Sequence, residues 1–364
     1  MNDRAKAERH IGLSLGRVDH WHDGLGEFGR QIATGIAARA AALRDEHGLR
    51  FHLHLPARWH GMFGDAVGYL DTRDLQRWLH RTREPFALWH VLHQHNRYRA
   101  PVGTAQVIET VHDLNFLRQK SPAKAQVYRE RTRRRLSGRD AVVTISRFVA
   151  DELARELAPL ETPLHVIHNG AADLTQAPRQ AVDNVEPGGF LLHVSRLAPS
   201  KNIAALLDLA TAWPAQAFVL AGSASDYTRE LNRQIDARTL RNVRLVLDID
   251  DARKAWLYAH CRGFLFPSLT EGFGLPPLEA MHFGKPVFLS RLTSLPEVGG
   301  DAAFYFDGFD AQAMRATVEH GLTRWDAEPS MADAARARAA GFSWSACVDR
   351  YVAQYRALLA RDSA

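Results

Sequence analysis

Residues 268–286, SLTEGFGLPPLEAMHFGKP, contain the side chains whose types and spacing most directly suggest chemistry. Two acids, Glu271 and Glu279, flank a core of glycines and prolines. Ionised carboxylates accept hydrogen bonds but donate none, so both acids suit the hydroxyl groups of a sugar or a ribose. Gly272 and Gly274 would let a ligand approach the backbone closely. The pattern therefore indicates a polyhydroxylated ligand, and a glycine- and proline-rich loop with solvated acids is the alternative.

The same stretch predicts a strand, a turn and a helix. The apolar run at 263–266 is typical of a short buried strand, and the apolar residues after the prolines predict a helix. Proline suits a first helical turn because its ring presets φ and its missing N–H would be unpaired there anyway. The N–H groups of Phe273, Gly274 and Leu275 would then lie near the positive end of the helix dipole, where an anion binds favourably. A phosphate ester with several hydroxyl groups would satisfy both features.

Composition places the chain among soluble globular proteins. Its 364 residues are enough for about two domains, and 46% apolar with 24% charged residues argues against extended disorder. No apolar run approaches the ~18 residues of a membrane span, and the first residues lack the hydrophobic core of a signal peptide, so we expect a cytoplasmic protein. The two cysteines, Cys261 and Cys347, exclude a disulfide framework and a thiol-based zinc site.

Positive charge is concentrated in one segment. The net charge is +5 with a pI near 9.3, which favours anionic partners. Between Arg118 and Arg139 nine Lys or Arg residues accompany one acid, Glu130. A solvated helix face is one interpretation, and an anionic membrane surface is another, because clusters of this size attract acidic headgroups. Nucleic acid is disfavoured, since no aromatic stacking residues alternate with the basic ones and no recognition motif accompanies them.

Short apolar runs alternate with amphipathic stretches, which predicts an α/β protein with parallel sheets. Residues 171–189 lose this periodicity and contain Pro178 and Pro187, so we interpret them as a linker. The alternation resumes at Phe190. Two doubly wound domains follow, with ligands expected beyond the carboxyl ends of their strands. In the first half, strands are predicted at 11–15, 51–55, 86–89, 106–108 and 141–145, and a helix is predicted at 27–43. In the second half, strands are predicted at 190–194, 217–220, 243–247, 264–266 and 286–289.

Two short motifs suggest other chemistry and fit their surroundings poorly. GLGEFG at 24–29 matches the dinucleotide fingerprint, but the strand predicted at 51–55 is not followed by the acid that would hold a ribose. We interpret it as a flexible loop whose glycines could approach a phosphate or sugar. The sequence Asp248-Ile249-Asp250 resembles a metal-binding acid pair, but the helix that follows favours Asp250 or Asp251 as its N-cap. The histidines at 90, 93 and 95 are better interpreted as a polar strand end than as a metal triad.

The order and spacing of several motifs resemble the retaining GT-B glycosyltransferases of the family 4 type, the bacterial glycosyltransferase group 1. The resemblance covers nearly the whole chain. It implies two Rossmann-like domains facing a cleft, with a C-terminal helix crossing back to the first. We accordingly expect an acceptor-binding domain at 1–170, a linker at 171–189, a nucleotide-sugar domain at 190–341 and the crossover helix at 342–364. The motifs are E-x7-E at Glu271, HVSRLAPSKN at His193, TVHDLNFL around His112, TISRFVADEL at Thr144, IHNG at His168 and SLPEVGGDAA at Ser294.

The resemblance also implies roles for single residues in binding the donor. Arg196 and Lys201 would bind the donor diphosphate, where fixed cations can stabilise the charge of the leaving group. Glu279 would accept hydrogen bonds from the ribose. Glu271 would hold the transferred sugar, with the backbone of the neighbouring loop. The remaining expected donor contacts are Phe273, Gly274 and Leu275, Gly222 and Ile249 near the base, and Gly24 and Gly26 of the glycine loop.

His112 and Asp113 are expected near the reacting carbon or the phosphate, with their division of labour left open. A structural histidine at a strand end is the alternative for His112.

The implied activity is transfer of a hexose such as mannose, glucose or rhamnose from a nucleotide diphosphate sugar to a saccharide or lipid-linked acceptor, in lipopolysaccharide or exopolysaccharide assembly. The resemblance implies retention of configuration, with no metal and no cofactor. A nucleotide-sugar epimerase of the same fold and a nucleotide-sugar binding module are the alternatives. We expect peripheral attachment to the inner face of the cytoplasmic membrane, through the segment from Arg118 to Arg139 and residues Arg58, Trp59, Arg77, Trp78, Arg81 and Arg83.

Overall fold

The computed structural model describes residues 8–19, 21 and 24–361, which divide into two compact units. One unit contains the described residues up to Asn169 together with those from Trp344 onward. The other contains Gly170–Ser343. Residues 171–189 include no helix or strand. Within the described part of the chain, every helix is too short or too polar to span a bilayer.

The first unit is built on a seven-stranded parallel sheet with the order β3-β2-β1-β4-β5-β6-β7. Its strands are β1 (Arg9–Ser14), β2 (Leu49–Leu55), β3 (Gly68–Asp71), β4 (Leu88–Val91), β5 (Gln106–Val111), β6 (Ala141–Thr144) and β7 (Leu164–Val166). Its helices are α1 (Gly24–Ala37), α2 (Ala40–His47), α3 (Phe116–Gln119), α4 (Pro122–Leu136), α5 (Arg147–Glu156) and the C-terminal α13 (Trp344–Arg361).

The second unit has a six-stranded parallel sheet with the order β10-β9-β8-β11-β12-β13. Its strands are β8 (Phe190–Val194), β9 (Ala217–Gly222), β10 (Val243–Leu247), β11 (Gly263–Phe266), β12 (Val287–Ser290) and β13 (Phe304–Phe306). Its helices are α6 (Ile203–Ala212), α7 (Asp226–Ala237), α8 (Asp251–His260), α9 (Leu275–His282), α10 (Leu295–Gly299), α11 (Ala311–Ala327) and α12 (Ser330–Ala340).

Both sheets are buried on their two faces, as the apolar runs predict for parallel strands. All five residues of β8 and all four of β11 are buried. Each sheet reverses its strand order once, between β1 and β4 in the first unit and between β8 and β11 in the second. At such a reversal the loops that follow two neighbouring strands run in opposite directions and leave room for a ligand.

Helix α13 packs into the first unit through a close contact with α1 and a polar network. A Cβ on Gly35 would lie 2.5 Å from Cγ2 of Val348, so glycine is what permits this approach. His90 on β4 bonds the Tyr355 hydroxyl (2.7 Å) through Nδ1 and the Thr110 hydroxyl (2.8 Å) through Nε2. All of these groups are buried, so the network fixes α13 on the sheet.

The elements differ from the sequence-based expectation in three places. Strands β3, β7 and β13 were not predicted, and each is a short edge strand. The helix expected at 27–43 is divided into α1 and α2 between Ala37 and Ala40. The prediction of a flexible loop at Gly24 and Gly26 is wrong. Helix α1 begins at Gly24, and both glycines lie in its first turn.

Buried histidines make the stability of the protein dependent on pH. Burial lowers the pKa of His90 and of His112 to about 3 and that of His54 to about 4, from an ordinary value of 6.5. Below pH 6.5 these histidines therefore bind protons in the unfolded chain but remain neutral in the folded chain.

We expect the free energy of unfolding to fall as the pH decreases from 6.5 toward 4, by up to about 1.4 kcal/mol per pH unit for each of these histidines. Urea denaturation at a series of pH values measures it. The variant His90→Gln, which cannot titrate, should lose stability at neutral pH and show a shallower slope. A stability that is constant across this window would contradict the prediction.

Candidate functional site

The candidate site of the second unit lies at the carboxyl ends of β8 and β11, where the strand order reverses. The loop after β8 contains Arg196 and a 3₁₀ turn, Pro199–Lys201. The loop after β11 leads to Glu271 and the start of α9. The Leu269 N–H donates to the Ser200 carbonyl oxygen (2.8 Å), so the two loops are bonded to each other. The fold thus brings together two motifs whose residues Lys201 and Glu271 are 70 positions apart in the sequence.

Lys201 and Glu271 form a close ion pair in this site. Lys201 Nζ lies 2.5 Å from Glu271 Oε1, and the two side chains are only 15% and 11% exposed. Lys201 Nζ also lies 5.5 Å from the ring centroid of Phe266, at the end of β11. A cation and an acceptor group are therefore fixed side by side, which suits a ligand that carries both negative charge and hydroxyl groups.

The loop of Glu271 is fixed by the segment that follows β12. The Glu271 N–H donates to the Thr293 hydroxyl (3.1 Å). The buried Ser294 hydroxyl donates to the carbonyl oxygens of Phe273 (2.7 Å) and Glu271 (3.2 Å). The beginning of the SLPEVGG motif thus positions the loop of the E-x7-E motif.

Glu279 lies on α9, and its carboxylate accepts hydrogen bonds from two side chains of α8. The Tyr258 hydroxyl donates to Glu279 Oε2 (2.8 Å), and Lys254 Nζ lies 3.5 Å from Oε1. Burial, and after it the charge of Glu279, raises the pKa of Tyr258 well above its ordinary value, so the hydroxyl remains a donor. Sequence analysis missed Lys254 and Tyr258, although their spacing of four residues on a predicted helix places them on one face.

Glycines at two positions of this site are required by geometry. Gly274 has φ +119° and precedes α9, and a Cβ there would lie 2.8 Å from Leu295 Cδ2. A Cβ on Gly222, at the end of β9, would lie 2.2 Å from the Ser195 carbonyl oxygen. Any side chain at Gly222 would displace the loop that carries Arg196. The predicted strand, turn and helix around Gly274 are present, with prolines in the first turn of α9.

The acid pair at 248 and 250 has local structural roles. Asp250 Oδ1 accepts from the Arg253 N–H (2.8 Å), which confirms it as the N-cap of α8. Asp248 Oδ1 accepts from the Ala224 N–H (3.0 Å). Ile249 lies half-buried between them, beyond the end of β10.

A buried histidine that sequence analysis did not single out connects the two central strands. His193 Nδ1 donates to the Leu265 carbonyl oxygen (2.8 Å), which leaves Nε2 to accept from the Ser195 hydroxyl (2.7 Å). Burial lowers the pKa of His193 to about 4, so this ring is neutral at physiological pH. It fixes the residue that precedes Arg196. Arg196 itself is exposed, and no carboxylate of the described residues pairs with it.

In the first unit, His112 and Asp113 follow β5. His112 Nε2 donates to the Leu92 carbonyl oxygen (3.0 Å), and its ring packs edge-on against Phe28 at 4.6 Å. Because burial lowers its pKa to about 3, His112 is a neutral imidazole. Asp113 Oδ1 accepts from the Asn115 N–H (2.9 Å). Of the expected glycine loop, Gly24 and Gly26 lie at the start of α1 and Asp23 lies outside the described residues.

The segment from Arg118 to Arg139 is much less positive in the folded chain than its sequence suggests. The fold brings acids from other segments to it, including Glu109, which is 0% exposed and lies between Arg135 and Arg139 (3.0 Å each). In the described part of the chain only Lys120, Lys124 and Arg131 of this segment lack a carboxylate partner. The other pairs are Arg118–Glu152, Arg129–Glu156, Arg133–Glu130 and Arg134–Glu130.

Comparison with known proteins identifies the family of a domain within the second unit. Residues 176–338 match the family described as Glycosyl transferases group 1. The chain is 29% identical over 307 residues to O-antigen chain mannosyltransferase B of Escherichia coli, covering 78% of this chain and 79% of that protein.

Solved structures resemble the whole chain. Sucrose-phosphate synthase from Thermosynechococcus elongatus superposes with a TM-score of 0.72 at 18% identity, over 97% of this chain and 100% of that one. Anabaena HepE in complex with UDP-glucose superposes with a TM-score of 0.70 at 17% identity, over 96% and 99%. With the two parallel sheets, these likenesses show that the chain has the GT-B fold, and residues 176–338 of its second unit match the group 1 glycosyltransferase domain.

Proposed function

We propose that the protein is a retaining hexosyltransferase of the family 4 type, which moves a hexose from a nucleotide diphosphate sugar to a hydroxyl group of a saccharide or lipid-linked acceptor. The observation that carries the proposal is the Lys201–Glu271 pair at the point where the sheet of the second unit reverses. A cation beside a hydrogen-bond acceptor matches the two parts of a sugar diphosphate. Relatives named as O-antigen mannosyltransferases support polysaccharide assembly, so mannose is the first sugar to test.

The proposed chemistry uses the charges of the second unit. Arg196 and Lys201 bind the diphosphate and stabilise the negative charge that develops when the bond from the sugar carbon to the phosphate oxygen breaks. The acceptor oxygen forms its bond to the same face of that carbon, and its proton passes to the departing phosphate oxygen. Glu271 accepts hydrogen bonds from the sugar, and Glu279 accepts them from the ribose. His112, as a neutral imidazole, would orient polar groups of the substrates without adding charge.

We propose a cytoplasmic site of action, with peripheral attachment where a lipid-linked acceptor would lie. Of the cations on α4 and just before it, those without carboxylate partners among the described residues are Lys120, Lys124 and Arg131, and each contributes about 1 kcal/mol near an anionic surface. The attraction would be weaker than the sequence count suggests, and it would be screened by salt.

Replacing Glu279 by Gln should weaken binding of the nucleoside diphosphate about tenfold or more, because hydrogen bonds to a charged acceptor contribute about 1.5–3 kcal/mol. Isothermal calorimetry measures the affinity. Glu319→Gln, which removes an exposed acid from α11, is the matched control. Equal affinities of the Glu279 variant and the wild type would argue against the ribose contact.

Replacing Lys201 by Met should lower kcat about a hundredfold or more, because a fixed charge at the leaving group is lost. The release of nucleoside diphosphate during transfer measures the rate. Lys201→Arg should retain part of it, and Lys124→Met, on the first unit, should retain all of it in detergent solution. Because the variant leaves Glu271 unpaired, its melting temperature must be compared as well. A folded Lys201→Met protein with the kcat of the wild type would exclude Lys201 from the reaction.

Transfer from a nucleotide diphosphate sugar to an acceptor should proceed in the presence of a chelator. The product should have the anomeric configuration of the donor. Proton coupling constants of the product report its configuration. Inversion would refute the proposed chemistry. Activity lost with EDTA and recovered with magnesium would instead direct attention to Asp248 and Asp250. Donor turnover to a free or isomerised sugar without an acceptor would favour the epimerase, and binding without turnover would favour the binding module.

A further inference from the structure

An apolar surface on the first unit has the composition of a membrane-inserting element. It consists of Leu75, Trp78 and Leu79, which follow β3, and Val102, which precedes β5. The exposed fractions are 68%, 76%, 43% and 65% in that order. Four large apolar side chains so exposed in one place are unusual on a protein surface in water, and such patches mark interaction sites.

Backbone hydrogen bonds bring the four side chains together. The carbonyl oxygen of Leu75 accepts from the N–H groups of both Trp78 and Leu79 (2.9 Å each), so one helical turn presents the three side chains on a single face. The Val102 N–H donates to the His80 carbonyl oxygen (2.8 Å), which places Val102 beside this turn.

The turn is also firmly attached to the sheet. His80 is buried, and its Nδ1 bonds the Arg99 carbonyl oxygen (2.8 Å). Gln76 Oε1 lies 3.0 Å from Nε2 of the buried His54 on β2. The apolar side chains are therefore held outward by buried contacts, which is the arrangement of a preformed binding surface.

The charges around the surface favour an anionic partner. Arg81, Arg83, Arg97 and Arg99 are exposed, and no carboxylate in the described ranges pairs with them. The acids Asp71 and Asp74 pair with Arg73 and Arg77, and among the described residues near the surface only Glu84 adds an acid without a basic partner, so positive charge dominates. Tryptophan and arginine are the residues that suit a membrane interface, since an indole ring lies at the headgroup level and a guanidinium binds phosphate.

We propose that Leu75, Trp78, Leu79 and Val102 insert into the surface of an anionic lipid bilayer while the neighbouring arginines bind its phosphate groups. The inference rests on the proposed peripheral attachment. It adds an apolar element, Leu75, Leu79 and Val102, to Trp78, Arg81 and Arg83, which the sequence had already suggested for that attachment. Insertion of apolar side chains resists salt, whereas the attraction of α4 is screened by it. The two contributions are therefore separable by experiment.

The test is co-sedimentation with vesicles of phosphatidylcholine, alone or mixed with phosphatidylglycerol, at low and high salt. The wild type should bind the mixed vesicles at low salt and keep part of that binding at high salt. Leu75→Ser with Trp78→Ser should reduce the salt-resistant binding about tenfold or more, because two large apolar side chains no longer leave water. The matched variant of the region around α4, Lys120→Gln with Lys124→Gln and Arg131→Gln, should lose mainly salt-sensitive binding.

Insertion should also shift the emission of Trp78 to shorter wavelength, measured as the difference between the wild type and Trp78→Phe. Salt-resistant binding that survives in the Leu75 and Trp78 variant, or a wild type that has none, would overturn the proposal. A change in oligomeric state on replacing Trp78, without vesicle binding, would identify the surface as a contact between copies and would overturn it as well. Nucleoside diphosphate affinity of the same samples reports the donor site separately, so the two proposals can fail independently.

Discussion

In the second unit, β8 and β11 are neighbours whose following loops run in opposite directions, because the strand order reverses between them. All strands are parallel, so every loop that follows a strand emerges at the same edge of the sheet. This constraint brings Lys201 and Glu271 within bonding distance. His193 then fixes the start of the loop after β8, while Thr293 and Ser294 fix the loop of Glu271 from the segment that follows β12.

The Lys201–Glu271 pair is better explained by function than by stability. Removing two charges from water costs several kcal/mol per ion, and their attraction recovers that cost only with excellent geometry. With side chains that are 15% and 11% exposed, the pair pays much of this cost for little net stabilisation. Each charge nevertheless keeps the other in place. A site for a sugar diphosphate needs a cation and an acceptor in fixed positions before the ligand arrives.

Sequence analysis predicted the elements whose signals are local and missed those that depend on the fold. Strands β8 and β10 begin and end where their apolar runs do, and the N-cap at Asp250 follows from a carboxylate before a helix. Edge strands β3, β7 and β13 were missed because their short, mostly half-buried sequences give only a weak local signal. Lys254 and Tyr258 were missed because their bonds to Glu279 join two helices, and no periodicity encodes that contact.

Charge shows the same limit, since a count along the chain cannot tell which cations are already paired. Arg135 and Arg139 flank the buried Glu109, where a carboxylate without cations would be costly, so both have structural roles. An exposed cation without a partner, such as Arg97, can bind an external anion without breaking an internal pair. The same distinction separates Arg196 and Lys201, the two cations proposed to bind the donor diphosphate. Arg196 is exposed and has no carboxylate partner among the described residues, so a diphosphate can engage it directly. In the proposed site Lys201 would share its charge between the diphosphate and Glu271, so the ion pair fixes the position of Lys201 and weakens its attraction for the ligand.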